Sequence, residues 1–185
     1  MIIGLSGYAG SGKDEVAKVL VNEYGFVRKA FADKIREVLY EMNPHVILGY
    51  DMHTTVQLLV DNEGWDVAKQ HQPVRELLQT LGVGCRKVFG ENFWIVETMR
   101  DLDFSQHYVF TDVRFQNEAK LLKKFSDYGT QVWRVKRDGV GPVNGHISEH
   151  DLDDYKFDQL LKNEGTLDDF YALVRKRLEF ARSAN

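Results

Sequence analysis

At 185 residues, 43% of them hydrophobic, the chain can bury one sizeable core with a small lid and is too short for a second independent domain. With 24 Lys and Arg against 28 Asp and Glu, the net charge of −4 excludes the global basic field of a nonspecific nucleic-acid binder, so no direct nucleic-acid binding is expected and an anionic ligand needs a local basic site. The single cysteine, Cys85, excludes an internal disulfide and a cysteine-based metal cage; with no membrane-length apolar run and no signal peptide, the expectation is a soluble protein of a reducing cytoplasm, with no membrane partner.

Ile2-Ile3-Gly4-Leu5 reads as a strand, and GYAGSGKD, Gly7 to Asp14, follows it and opens a helical segment. This is the GxxxxGK pattern of a phosphate-binding loop. Gly7 and Gly12 let the backbone turn with its N–H groups inward, so that Gly7, Tyr8, Ala9, Gly10, Ser11 and Gly12 cradle phosphate oxygens while Lys13 supplies a point charge to the β and γ phosphates. The unpaired N–H groups and dipole of the helix start add to the same anion site. The position after the lysine ordinarily carries Ser or Thr, whose hydroxyl binds Mg²⁺; here it is Asp14, a carboxylate that holds Mg²⁺ directly or through water. The rival dinucleotide pattern lacks its third glycine.

Glu15 to Tyr24 continues as a helix, with Val16, Ala17, Val19 and Leu20 at helical spacing and Gly25 as its stop. Phe26 to Phe31 reads as a strand and Asp33 to Met42 as a helix ending before Pro44. From His45 to Gln72 the pattern weakens to a short helix around Val56 to Val60, more insertion than core. Pro73 suits a helix start, and Val74 to Val88 carries the stripe Leu77, Leu78, Leu81. Next come a helix from Phe93 to Leu102, a strand at Tyr108 to Phe110, a helix from Gln116 to Phe125 and a strand from Thr130 to Val135. Gly139 to Gly145, enriched in Gly and Pro, is the expected mobile loop. Phe157 to Leu161 reads as the last strand, and Thr166 with Asp169 as a capping box opening a final helix through Arg182. Strands alternating with helices predict an α/β fold with a mostly parallel sheet.

In such a fold ligands bind beyond the carboxyl ends of strands, so the polar residues just after each strand carry the chemistry. Besides the loop, these are Asp33, Lys34 and Arg36; Asp112 and Arg114; and Lys136, Arg137 and Asp138. Each group mixes carboxylate with Arg or Lys, as expected where phosphates and a metal are held together. Phosphoryl transfer needs positioning and charge neutralisation rather than a catalytic triad. Arg114 and Arg137 are the candidates to bridge donor and acceptor phosphates, and Asp112 stands where an acidic residue holds Mg²⁺ through water, its alternative role being a helix cap.

GYAGSGKD, FADKIR at Phe31 to Arg36, VRELLQTLG at Val74 to Gly82 with Arg86 and Trp94, TDVRFQNEA at Thr111 to Ala119 and HISE at His146 to Glu149 together resemble the phage deoxynucleoside monophosphate kinase family, in order along most of the chain. Asp after the loop lysine is shared with that family. The resemblance implies a P-loop, nucleoside-monophosphate-kinase-like three-layer fold in a single domain, with an acceptor-binding insertion at about 45–103 and a lid at about 137–152. It implies ATP and Mg²⁺ as cofactors and a deoxynucleoside monophosphate as acceptor, with Lys13, Arg114 and Arg137 catalytic and Asp14 and Asp112 on the metal. Asp33, Arg36, Arg75, Gln79, Arg86, Trp94, Asp112, Arg114 and Glu149 would serve the acceptor, Trp94 as a flat stacking ring, while the HISE segment and Arg137 would close over the donor. A phage origin would place the work in the host cytoplasm.

Animal-type phosphomevalonate kinases share the GKD ending and an Asp and Arg after a middle strand; dephospho-coenzyme A kinases are a more distant alternative. From other classes, His146-Ile-Ser-Glu149-His150 formally matches the HxxEH zinc pattern, and Asp61 to Gly64 the DxxG loop of a GTP switch, although no guanine-reading Asn-Lys-x-Asp occurs. A nucleotide-binding module without turnover also stays open, as do base preference, ribose selectivity, a homodimer and the role of Gly49 to Gln72.

Overall fold

The computed structural model describes residues 1–49, 51–142 and 147–183, the side chain of Ser148 excepted. In chain order the elements are β1 (Ile2–Ser6), α1 (Lys13–Tyr24), β2 (Val27–Lys29), α2 (Phe31–Met42), β3 (His45–Leu48), β4 (Met52–Thr55), α3 (Val56–Glu63), α4 (Trp65–Ala68) and α5 (Gln72–Phe89). Then follow α6 (Phe93–Arg100), β5 (Tyr108–Phe110), α7 (Gln116–Lys123), β6 (Gln131–Lys136), α8 (Ile147–His150), β7 (Gln159–Lys162) and α9 (Leu167–Ser183). They group into two compact units, Met1–Ala30 with Asp101–Asn185, and Phe31–Arg100.

The first unit is built on a five-stranded sheet in the order β2-β5-β1-β6-β7, with every pairing parallel. All five residues of β1 are buried, the mark of a parallel strand covered on both faces. On one face Ile3, Leu5, Trp133, Val135 and Leu161 pack with Val16 and Leu20 of α1 and with Phe170, Val174 and Leu178 of α9. On the other, α7 comes so close that a Cβ on Gly4 would lie 2.8 Å from Leu122 Cδ1 and 3.0 Å from Val113 Cγ2. Helix, sheet and helix thus form the three layers. The chain fills one side of β1 with β2 and β5 before crossing to β6 and β7, so the strand order reverses at β1, where α/β folds place their ligands.

In the second unit α2 packs against α5 and α6, while Leu39, Val46, Leu48, Val56, Leu59 and Val74 form its core. The weakly patterned segment contains a hairpin that the sequence did not suggest. β3 and β4 pair antiparallel from His45 opposite Thr55 to Leu48 opposite Met52. Val46 and Leu48 point inward and Ile47 outward, but four residues of alternation are too few to stand out. The expected strand at Phe26 to Phe31 is shorter, because Phe31 is buried as the first residue of α2. Asp61 lies within α3 and accepts a hydrogen bond from Tyr40 Oη at 2.7 Å, with Gly64 as the C-cap, so the DxxG match is a helix end rather than a switch loop. The capping box forms as expected: Asp169 Oδ2 accepts from Thr166 N at 3.0 Å and Thr166 Oγ1 accepts from Asp169 N at 3.2 Å. Among the described residues no helix is long and apolar enough to cross a membrane.

Candidate functional site

The loop between β1 and α1 lies at the switch point of the sheet. Gly7, Gly10 and Gly12 have φ of +150°, +77° and +107°, and at Gly7 and Gly12 the surroundings also forbid a side chain. A Cβ on Gly7 would stand 2.5 Å from Val135 O, and one on Gly12 2.5 Å from Asn163 Nδ2. Ser11 is buried, whereas Ala9 and Gly10 are exposed at the tip. Asn163, just past β7, donates to Ser11 O at 3.0 Å and fixes the loop from behind. Glu15 N and Val16 N return to Gly12 O, and the first turn of α1 presents the amides that a helix start leaves unpaired.

Lys13 donates through Nζ to Gly7 O and Tyr8 O, both at 2.8 Å, which holds the ammonium inside the loop. Burial first, and the nearby charge of Arg114 second, press its pKa below the ordinary 10.5, against the opposite pull of Asp14 and Glu149. A group so placed gains from an incoming anion. Asp14 is exposed in the first turn of α1, and Asp112 is half-buried just after β5.

Arg114 follows Asp112. Its backbone N–H and that of Phe115 donate to Glu118 Oε2 at 2.7 and 3.0 Å, so Glu118 closes the N-terminus of α7. The Arg114 guanidinium reaches Glu149 Oε1 at 2.9 Å, which joins the loop after β5 to α8. Further bonds secure the same segment, among them Gln116 N to Asp151 Oδ2 at 2.6 Å, Tyr8 Oη to Asp153 Oδ1 at 2.9 Å and His150 with Asp153 Oδ2 at 3.2 Å. Burial pushes the Asp153 carboxyl up, but the hydrogen bonds from Tyr8 and His150 and the charge of Arg134 outweigh it and leave its pKa below the usual 3.8.

Three residues of this surround, Arg134, Asn163 and Asp153, were not anticipated. Arg134 donates to Ser6 Oγ at 3.0 Å and to Asp153 Oδ1 at 3.3 Å. The signal for it is a charge inside the apolar run Val132-Trp133-Arg134-Val135; a strand buried on both faces does not carry an arginine without a partner. By contrast Arg137, expected to bridge phosphates, is exposed in the turn that Val140 N closes on Arg137 O, beyond the end of β6. His146, Gly145 and the rest of 143–146 lie outside the described residues, which covers the end of the expected mobile loop and the first His of the HxxEH match. The described part of that match is engaged otherwise, Glu149 by Arg114 and His150 by Asp153. Among the described residues no group of three or more His, Cys, Asp or Glu is arranged to hold a metal.

The residues expected to hold an acceptor in the second unit fall in two places. Asp33 and Arg36 pair at 3.1 Å near the start of α2. Arg75, Gln79 and Arg86 fall within about 40° of one line along α5, because their spacings are near whole numbers of turns. Arg75 also donates to Gln70 O at 3.3 Å. Trp94 is a correction. It is 3% exposed, meets Phe93 edge-on and donates Nε1 to Gly82 O at 3.0 Å, so it joins α6 to α5 as a core residue, and its placement does not offer a face for stacking.

Residues 51–174 match the family model described as deoxynucleotide monophosphate kinase. A putative deoxynucleotide monophosphate kinase of Acanthamoeba polyphaga mimivirus is 27% identical over 205 residues, covering 100% of both chains. The deoxynucleotide monophosphate kinase of Escherichia phage RB69 is 27% identical over 111 residues, 57% of this chain and 44% of that protein. Among solved structures, dephospho-CoA kinase from Campylobacter jejuni aligns at 13% identity over 97% of this chain and 96% of that one, with a TM-score of 0.48.

Proposed function

The chain belongs to the deoxynucleotide monophosphate kinase family, and on that footing we propose that it transfers the γ-phosphoryl group of ATP to the 5′-phosphate of a deoxynucleoside monophosphate, giving ADP and a deoxynucleoside diphosphate. The observation that carries this reading is the loop itself, with Lys13 held against Gly7 O and Tyr8 O at the switch point of a parallel sheet and Arg114 on the neighbouring strand end. An acceptor phosphate oxygen attacks the γ phosphorus in line, and the bond from that phosphorus to the β-bridging oxygen breaks, with ADP as the leaving group. Little covalent work falls to the protein, which aligns the two phosphates and neutralises their charge.

Lys13 and the loop amides hold the donor phosphates. Arg114 exchanges Glu149 for a phosphate oxygen and offers a planar fork that a lysine lacks. Asp14 and Asp112 would hold Mg²⁺, as one or two carboxylates suit an ion that is shared with substrate phosphates rather than caged by protein. When bound, the ion neutralises charge on the donor phosphates. Arg36, Arg75, Gln79 and Arg86 serve the acceptor, with Asp33 orienting Arg36. The segment at about 137–152, with Arg137 at its start, closes over the donor and keeps water from the γ phosphate.

The test is ADP release from ATP and Mg²⁺ with each deoxynucleoside monophosphate, each ribonucleoside monophosphate, phosphomevalonate, dephospho-coenzyme A or no acceptor. Release that depends on deoxynucleoside monophosphates is expected, and Lys13→Ala should lower it by about a hundredfold or more at an unchanged unfolding midpoint. Release indifferent to these acceptors, or a Lys13→Ala variant as active as the parent, contradicts the proposal. Release with phosphomevalonate or dephospho-coenzyme A alone moves the chain to another small-molecule kinase reaction.

A further inference from the structure

Burying a guanidinium costs free energy that an ion pair seldom recovers in full, so a charged residue inside a parallel strand points to a use for the charge. Arg134 sits in β6 between the enclosed Trp133 and Val135, and 5% of its own surface is exposed. The parallel register sets it opposite Ser6 of β1, and its Nη1 donates to Ser6 Oγ at 3.0 Å. Its guanidinium carbon lies over the rings of Tyr8 at 4.8 Å and Phe157 at 5.5 Å. Its ion-pair partner Asp153 stands at 3.3 Å, is 39% exposed and also serves Tyr8 and His150. A long, shared and half-wet contact of this kind offsets burial poorly.

The direction of the side chain supplies the reason. The guanidinium fronts the small cavity lined also by Ser6, Gly7, Tyr8, Arg114 and Glu149. Lys13 is close enough to feel both arginines. Arg114 and Arg134 therefore line one cavity beside the phosphate loop, with Lys13 nearby, and an anion there can take the place of the carboxylates of Glu149 and Asp153.

We propose that Arg134 is a third phosphate-binding cation of this site: oriented by Ser6 and Asp153, and flanked by Tyr8 and Phe157, its guanidinium donates to a phosphate oxygen of the nucleotide seated in the loop. Because it projects from a central strand, it is in place before any lid closes, in contrast to Arg137 in its exposed turn. Asp153 balances its charge, and an asparagine there would keep an oxygen to orient it. The inference rests on the proposed function only in taking a nucleoside polyphosphate as the ligand, and does not depend on the acceptor.

Calorimetric titration of the full chain with ADP, and separately with inorganic pyrophosphate, tests it without turnover. Arg134→Met should weaken both by roughly tenfold to a hundredfold, the range of a charged hydrogen bond, with Arg134→Lys between the two because it keeps the charge and loses the fork. A folded Arg134→Met that binds both ligands as the parent does, or one whose only change is a lower unfolding midpoint, overturns the inference. Should Arg134→Met not fold, Asp153→Asn decides. With its counter-charge gone, Arg134 gains more from an anion, so pyrophosphate should raise the unfolding midpoint of Asp153→Asn by more degrees than that of the parent; an equal or smaller rise overturns the inference. A chain that binds ADP through Arg134 yet phosphorylates no deoxynucleoside monophosphate would sink the proposed reaction and leave this inference standing.

Discussion

Trp94 and Arg134 both stand elsewhere than sequence alone suggests, the one in the core and the other beside the phosphate loop. A tryptophan in a nucleotide-handling chain reads as a stacking ring, but Trp94 donates its N–H to a buried carbonyl of α5. Arg134 drew no role within the expected strand Thr130 to Val135, but it is enclosed and lines the cavity beside the phosphate loop. Neither placement is visible in spacing, because each depends on a partner far away in sequence, Gly82 for the one and Ser6 and Asp153 for the other. Lys13 was legible because its partners, Gly7 O and Tyr8 O, are its own neighbours in the chain. The placement of Trp94 has a measurable consequence. Trp94→Phe keeps an aromatic ring but loses the bond from Nε1 to Gly82 O, so urea unfolding should show a loss of about 0.5–1.5 kcal/mol while the KM for the acceptor stays unchanged. A raised acceptor KM at full stability would restore the stacking role.

At the scale of elements, long amphipathic segments announced themselves and short ones did not. α1, α2, α5 and α9 each run for twelve residues or more, enough for a helical stripe to repeat. The hairpin of β3 and β4 has four residues per strand and no such repetition. α8 is equally short and owes its place to side-chain bonds from Arg114 to Glu149, and from Gln116 and Tyr8 to the residues just after it. Asp153 gives this tether a pH signature. Its folded pKa lies below the ordinary 3.8, so its contribution to stability is complete above that value and disappears as pH falls through the lower folded value. The stability difference between the parent and Asp153→Asn, followed by urea unfolding, should hold steady from neutral pH down to about 5 and shrink as the pH falls below 3.8. A difference that persists unchanged in acid would mean that the carboxylate charge does not hold the segment.

For the whole molecule, the alternation of strands and helices predicted the mostly parallel sheet, the family resemblance implied its three layers, and a loop at the end of β1 located the site within it. The resemblance implied an insertion at about 45–103, whereas the compact unit with its own core spans residues 31–100, since Phe31 opens α2 where a strand was expected to end. A net charge of −4 is compatible with handling anions because the cations are gathered locally, at Lys13, Arg114 and Arg134 in one unit and along α5 in the other. The central claim is that a phosphoryl group passes from ATP to the phosphate of a deoxynucleotide. The most direct measurement is phosphorus NMR of the chain incubated with ATP, Mg²⁺ and a deoxynucleoside monophosphate. The account predicts that deoxynucleoside diphosphate and ADP appear in equal amounts while inorganic phosphate stays at its starting level. ATP that is left intact, or that breaks down to ADP and inorganic phosphate with the monophosphate unchanged, would contradict it.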